Sequence, residues 1–359
     1  MGILTFLLKL VLLVFVLGII ILVHEFGHFI WAKAFKVHIY EFSIGMGPLL
    51  FTHKGKKDYI DYNVRAIPIG GYVAMAGEVY ADDDQIPKEK LMCNKPWWQR
   101  LIILVAGVMN NFIMAIILLM LYAAIWGPDP VKPVLNTIAP ESAAEEAGLV
   151  TGDEILKING YKVASWDKAQ IILNYKNKNE YYEMTIKHQD GTKEDIIITP
   201  KEIVDETTGE KSLKFGFSVA PNNEKSFLGI IKYGFVRFAT IIDSMYWTVA
   251  GLITGNISLN ALSGPVGIFE VVGESLSYTF SDAIRYIIYL IALLSVNVGF
   301  INILPFPAFD GGHVFFILVE KIKGSPVNQK FESICHTIGF ALIFLLMIIV
   351  TINDIIRLF

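Results

Sequence analysis

Leu101 to Trp126 passes through twenty-six positions without one charged residue. A helix needs about 20 apolar residues to cross a bilayer, so this stretch has few destinations other than a membrane. Three further runs reach that length: Ile3 to Val23, broken only by Lys9 and continued in apolar residues to Phe35; Tyr286 to Phe309; and a run centred on Thr337 to Asn353. Composition points the same way, with 54% hydrophobic and 18% charged residues and a mean hydropathy of +0.52. Disorder and collagen are excluded, and a net charge of -4 lacks the basic balance of a nucleic-acid-binding chain. Cys93 and Cys335 are too few and too far apart for a disulfide scaffold and read as free thiols. The chain reads as an integral membrane protein with a water-soluble portion.

Phe227 to Ile257 is also apolar but carries Lys232, Arg237 and Asp243. Charges are costly at a helix centre in lipid, so the expectation is an amphipathic helix lying on the membrane, with a fifth span as the alternative. Basic residues near span ends set orientation. Lys33, Lys36, Lys88, Lys90, Lys95 and Arg100 flank segment 32–100, and Lys321, Lys323 and Lys330 flank 310–336, against only Lys132 and Arg285 on the other side. Segments 32–100 and 310–336 are therefore expected in the cytoplasm, with both termini and 127–285 outside it.

The expected order is a first span at 1–35, a membrane-associated β-hairpin region at 36–100, a second span at 101–126 and a soluble α+β domain at 127–222. A surface helix and connector at 223–284 follow, then a third span at 285–313, a loop at 314–334 and a fourth span at 335–359. Gly45-Met46-Gly47-Pro48, Tyr59 to Ala66 and Ile67-Pro68-Ile69-Gly70-Gly71-Tyr72-Val73 read as hairpins with glycine-permitted turns, part of a re-entrant sheet. In the soluble segment, strands are read at Val134 to Ile138, Glu154 to Ile158, Tyr181 to Lys187 and Asp195 to Thr199. A short helix is read at Glu141 to Ala147, and Asn159-Gly160 signals a hairpin. This order, with Gly148-Leu149-Val150-Thr151-Gly152-Asp153 before the second strand, resembles a PDZ domain of the bacterial protease-associated kind.

Chemistry concentrates in His24-Glu25-Phe26-Gly27-His28. Residues i and i+4 share a helix face, so both imidazoles can bind one Zn²⁺ with Glu25 beside a water whose acidity the metal raises. Ionisable groups inside a span are expensive, and their default reading is functional. With Lys9 and Lys33 snorkelling to opposite surfaces, Glu25 lies roughly 12 Å inside the cytoplasmic face. The bland alternative is a histidine pair satisfied by hydrogen bonds within a bundle. A catalytic zinc needs a third ligand. Asp310 is the candidate: Pro305 and Pro307 end the third helix near Leu304, and an unpaired carboxylate at the end of an apolar run is costly unless a metal takes it up. Read alone, Asp310 would be a turn residue ahead of Gly311-Gly312.

These motifs together resemble the site-2 protease family of intramembrane zinc metalloproteases, nearest its bacterial regulator-of-sigma-E protease type. Gly45 to Pro48, Ile69 to Tyr72, Ser263-Gly264-Pro265-Val266-Gly267-Ile268 and Ser295-Val296-Asn297 extend the likeness over nearly the whole chain. The resemblance implies that His24, His28 and Asp310 bind zinc and that Glu25 is the general base. It also implies that Asn302 holds substrate backbone and that Gly70 and Gly71 belong to a β-loop receiving substrate as an added strand, a purely structural hairpin being the alternative. It further implies a multi-pass bacterial inner-membrane location and single-span membrane substrates, such as an anti-sigma factor or signal-peptide remnants. With room for one PDZ unit, the chain departs from the tandem-PDZ enterobacterial pattern. Gly107, Asn110 and Asn111 read as packing residues, although the family has a comparable feature. His313 reads as an exposed loop histidine, with a partner behind the metal ligands as the alternative, and His38, His53, His188 and His336 carry no ligand-like spacing.

The competing readings are a membrane-anchored quality-control zincin facing the cytoplasm, and a PDZ scaffold or metal transporter without hydrolysis. The first needs its third ligand on a soluble helix downstream, and segment 32–100 offers no such acidic motif, since Glu41, Glu78 and Glu89 sit in loop-like surroundings. A transporter needs polar residues on facing spans, and the second span has no charge. A scaffold would tolerate Glu25→Gln.

Overall fold

In the computed structural model of the chain, the described residues are 2–56, 58–78, 86–173, 175, 180–204, 211–220, 226–258 and 262–357. Parts of five expected segments lie outside them: residue 1 of the first span, 57 and 79–85 of the hairpin region, 174, 176–179, 205–210 and 221–222 of the soluble domain, 223–225 and 259–261 of the connector, and 358–359 of the fourth span.

In chain order the elements begin with α1 (Ile3–Ala34), β1 (Ile39–Lys54), β2 (Asp61–Met75) and α2 (Trp97–Trp126). A run of short elements follows: β3 (Leu135–Ile138), α3 (Ala143–Glu146), β4 (Glu154–Ile158), β5 (Tyr161–Lys162) and α4 (Trp166–Leu173). Then come β6 (Tyr182–Lys187), β7 (Lys193–Ile198), β8 (Lys201–Val204), β9 (Lys211–Lys214) and β10 (Phe217–Val219). The chain finishes in helices α5 (Phe227–Ile253), α6 (Pro265–Glu274), α7 (Phe280–Ile303), α8 (Asp310–Lys323) and α9 (Gln329–Arg357). They form two compact units, residues 1–118 with 262–359, and residues 119–261.

Among the described residues four helices are long and apolar enough to cross a membrane: Ile3–Ala34, Trp97–Trp126, Phe280–Ile303 and Lys330–Arg357. In the first and last only 11% of the most apolar window is buried by protein, so their outer faces require an apolar solvent. In the first unit Val16 and Ile20 of α1 pack with Ile291 of α7 and with Met114 and Leu118 of α2. Lys9 does not snorkel outward. It is paired at 2.5 Å with Glu270 of α6, because a protein carboxylate is the better partner for an ammonium in apolar surroundings. Lys33 pairs with Asp58 at 2.7 Å.

Segment 314–334, expected as a loop, is helical through Lys323, and the fourth apolar helix begins at Gln329. The left-handed Gly324 (φ 75°) closes α8, which displaces the turn several residues from where hydropathy places it. Arg100, read as a flanking charge, stands inside the first turn of α2 and pairs with Glu320 of α8 at 2.7 Å.

The hairpin region folds as two long bent strands. Gly45 and Gly47, with φ of 83° and 81°, bend β1 at Gly45-Met46-Gly47-Pro48. Residues 49–54 pair with 61–65, and residues 41–44 lie between 61–64 and 71–74, giving four rows from two strands. The last row, 67–75, pairs with no further strand among the described residues. One face of the sheet is buried through Ile39, Phe42, Val73 and Met75 against Phe29 and Ala32 of α1 and Ile103 of α2.

The second unit holds a sheet of order β5-β4-β6-β7, with β10 paired to β3 and β8 to β9. Asn159 and Gly160 turn from β4 into β5 with φ of 48° and 81°, as an Asn-Gly hairpin requires. Its core includes Leu135, Ile155, Ile158, Ile172, Met184 and Ile186, all at most 1% exposed. Each contributes roughly 1.5–3 kcal/mol by burial. The stretch expected as a membrane-surface helix is α5, and its charges have protein partners. Arg237 meets Asp167 at 2.5 Å and Asp243 meets Lys168 at 3.5 Å, both on α4. Those ion pairs account for charges that hydropathy alone assigns to headgroups.

Candidate metal centre

On α1 the four-residue spacing puts His24 and His28 on one buried face, with their Nε2 atoms 3.2 Å apart and their rings edge to face. The ring of His28 is oriented from its far side, where Nδ1–H donates to the Ile103 carbonyl at 2.8 Å. That bond fixes the tautomer and leaves the Nε2 lone pair free. Asn111 of α2 lies 3.4 Å from His24 Nδ1 and is fully buried, with its carboxamide oxygen lacking a partner. Turned by 180° about its amide, that oxygen accepts His24 Nδ1–H and completes the same arrangement for the second ring.

Close approach of α2 to α1 makes these contacts. A Cβ on Gly27 would run into the Ala106 carbonyl and the Gly107 Cα. One on Gly107 would stand 2.5 Å from His28 Nε2 and 2.8 Å from His24 Cε1. Gly107 and Asn111, read from sequence as packing residues, thus touch the imidazoles themselves. The signal that could have found them was positional, a glycine and an asparagine four apart on a charge-free span opposite two histidines.

Asp310 arrives from the other end of the chain. Pro305 and Pro307 break the helix after Ile303, Ala308 takes φ of 89°, and Asp310 opens α8. Gly311 and Gly312 admit the segment over the start of the helix: a Cβ on either would strike the carbonyls of Leu304 or Phe306. Asp310 Oδ2 then lies 3.0 Å from His24 Nε2 and 3.5 Å from His28 Nε2. It is buried and makes no hydrogen bond of good geometry with either ring. Tetrahedral bonds of about 2.0–2.1 Å place ligand atoms roughly 3.4 Å apart. The three separations of 3.0, 3.2 and 3.5 Å bracket that value, so the donor set fits one zinc ion.

Glu25, half-buried between the histidines in sequence, is in electrostatic reach of His24, His28 and Asp310 and receives a hydrogen bond from the Val73 N–H of β2. Gly70 and Gly71 are buried on that same strand, Gly70 within contact distance of Ile21 on α1. Asn302 stands half-buried in the last turn of α7, eight residues before Asp310.

A second group, His313, Glu332 and His336, also draws donor atoms together. His313 is a helical residue of α8 rather than a loop histidine, and its ring stacks on that of His336 of α9 at 3.8 Å and 16°. Lone pairs of nearly parallel imidazoles lie in parallel planes and do not converge on a single ion. The motif on α1, with rings 82° apart, differs in this respect.

Residues 12–346 match Peptidase family M50. The chain belongs to that family. A protein of Clostridium acetobutylicum that carries the name zinc metalloprotease is 35% identical over 348 residues, covering 97% of this chain and 97% of that one. The regulator of sigma-W protease RasP of Bacillus subtilis is 29% identical, covering 96% and 98% respectively. The zinc metalloprotease RasP of Geobacillus kaustophilus is 30% identical, covering 96% and 97%. As an M50 member the chain is a membrane zinc metalloprotease, and zinc is its cofactor.

Zinc supplies Lewis acidity toward a water and a peptide carbonyl. The protein side of the chemistry lies in placement: a carboxylate beside two oriented imidazoles, with the third donor on a separate element. Such a carboxylate suits proton transfer from water to a departing amine nitrogen.

Proposed function

We propose that this M50 protease is an intramembrane endopeptidase that hydrolyses peptide bonds within the transmembrane segments of single-span proteins. One observation carries the reading: two donors on a helix long and apolar enough to span a bilayer meet a third, from Asp310, at zinc-like spacing. In it His24, His28 and Asp310 hold zinc, and Glu25 takes a proton from water and returns it to the leaving nitrogen. A substrate helix hides its backbone bonds, so it must be opened before attack. The 67–75 row offers an unpaired edge beside Glu25, and adding substrate as a strand there would expose the scissile bond. Gly70 and Gly71 lie on that row and take part in receiving the strand, and Asn302 holds the substrate backbone through its amide.

Residues 127–222 act in this reading as a single PDZ domain outside the cytoplasm. A cavity of about 830 Å³ between α4 and β10, lined by Ile138, Trp166, Leu173, Phe215 and Phe217, suits an extended apolar peptide. It either receives a new C-terminus or screens substrates by bulk. The host is the bacterial inner membrane, with both termini outside the cytoplasm and α5 at the bilayer surface. Substrates are membrane-bound anti-sigma factors or signal-peptide remnants, in line with the sigma-W name of the Bacillus relative.

The test is cleavage of a tagged single-span substrate panel in liposomes by wild type and Glu25→Gln, with zinc counted in both. Glu25→Gln is expected to keep its zinc and lose on the order of 10²–10⁴-fold in rate. A Glu25→Gln protein as active as wild type would sink the assignment, as would wild type that holds no zinc and cuts nothing.

A further inference from the structure

Ala308 adopts φ of 89°, a conformation that residues with a Cβ rarely take without support from their surroundings. It stands two residues before Asp310, so any relaxation there moves the carboxylate. Its support comes from α9, where His336 Nδ1 accepts the Ala308 N–H at 3.0 Å. One turn further along α9, Gly339 lets the helix lie directly on the same segment, since a Cβ there would run into the Pro307 carbonyl. His336 is itself held tightly. Its ring stacks on His313 at 3.8 Å and sits 5.6 Å from Phe316. With Nδ1 accepting, neutral His336 carries its proton on Nε2, which is buried and faces the buried Glu332 carboxylate at 3.9 Å. Glu332 also reaches His313 Nδ1 at 3.3 Å.

We propose that His336 is a positioning residue for the zinc centre: it braces the strained Ala308 turn and thereby sets where Asp310 stands relative to His24 and His28. The inference rests on Asp310 being the third ligand. It gives α9, whose residues are not ligands, control over metal retention through one backbone hydrogen bond. Outer partners that orient ligands are worth about 10- to 100-fold in metal affinity or activity. The same order is expected here.

The experiment uses the full-length protein in detergent and follows zinc transfer to a fluorescent chelator, with kcat and KM on a single-span substrate measured alongside. His336→Phe removes the acceptor and keeps an aromatic ring to stack on His313. It is expected to release zinc roughly tenfold faster and to lose kcat with little change in KM. His336→Asn places an oxygen near the position of Nδ1 and is expected to restore most of the retention. Adding Ala308→Gly to His336→Phe is expected to recover part of it, because glycine takes positive φ unaided. The proposal fails if His336→Phe holds zinc as firmly as wild type, or if His336→Asn does no better than His336→Phe, which would indicate packing alone. It fails also if wild type binds two zinc ions and His336→Phe binds one, since His336 would then be a ligand. Asp310→Asn serves as the control for the parent reading: unchanged zinc retention there would overturn Asp310 as a ligand, and a loss leaves the His336 series to decide.

Discussion

The space where a Cβ of Gly107 would stand is filled by the His28 and His24 rings. Nothing larger than hydrogen fits without turning an imidazole away from Asp310. Gly107→Ala is therefore expected to cost at least about tenfold in zinc affinity and a comparable factor in cleavage, while the apolar helices stay folded. Zinc titration beside far-UV circular dichroism would check both parts. An alanine variant with wild-type affinity would show that the rings adjust freely. The same close approach explains Gly27, whose missing side chain brings the Ala106–Gly107 backbone within reach of α1.

At the scale of elements, buried charge in this chain is paired across helices or strands. Lys9 joins α1 to α6, Arg100 joins α2 to α8, and Arg237 joins α5 to α4. In the β4–β6–β7 sheet, His188 bonds through Nδ1 to the fully buried Asp153 at 2.8 Å and through Nε2 to Glu194 at 3.2 Å. Hydrogen bonds to Asp153 first and Glu194 second raise its pKa above the ordinary value near 6.5. A raised folded-state value means the stabilisation is fully present below about pH 6.5 and is lost as pH climbs through the folded pKa. Hydrogen exchange of the β6 and β7 amides is expected to slow on the acid side of that window relative to its alkaline side, after correction for intrinsic rates. His188→Gln should flatten this dependence, and an unchanged pH profile in that variant would refute the assignment.

Over the whole molecule, the side chains proposed to hold zinc all belong to the unit of 1–118 and 262–359, while the second unit has its own apolar core. A cavity cut in that core should weaken it alone. Ile186→Ala is expected to cost the second unit about 2–5 kcal/mol, with zinc content unchanged. Limited proteolysis would report the first and metal analysis the second. Loss of zinc in Ile186→Ala would show that the two units fold as one.

Sequence alone determined what depends on composition and short spacing. Apolar runs of span length call for a lipid surround, so four apolar helices were legible from hydropathy. His24 and His28 share a face by helical periodicity, and Asn159-Gly160 announces its hairpin through backbone sterics. Helix ends were less legible: Asp310 to Lys323 is too short and too charged to register as a span, so hydropathy cannot tell that it is helical rather than a loop. Nor could it see that Arg237 and Asp243 have partners on α4. What only the tertiary structure decided is which distant residues meet. Asp310 is separated from His28 by nearly the whole chain, and Gly107, Asn111 and His336 sit in segments where packing residues and working residues look alike. The contacts they make arise from helices approaching within backbone contact and from a turn of positive φ that meets another helix. Such arrangements leave no periodicity in sequence because they are set by the summed packing of the fold.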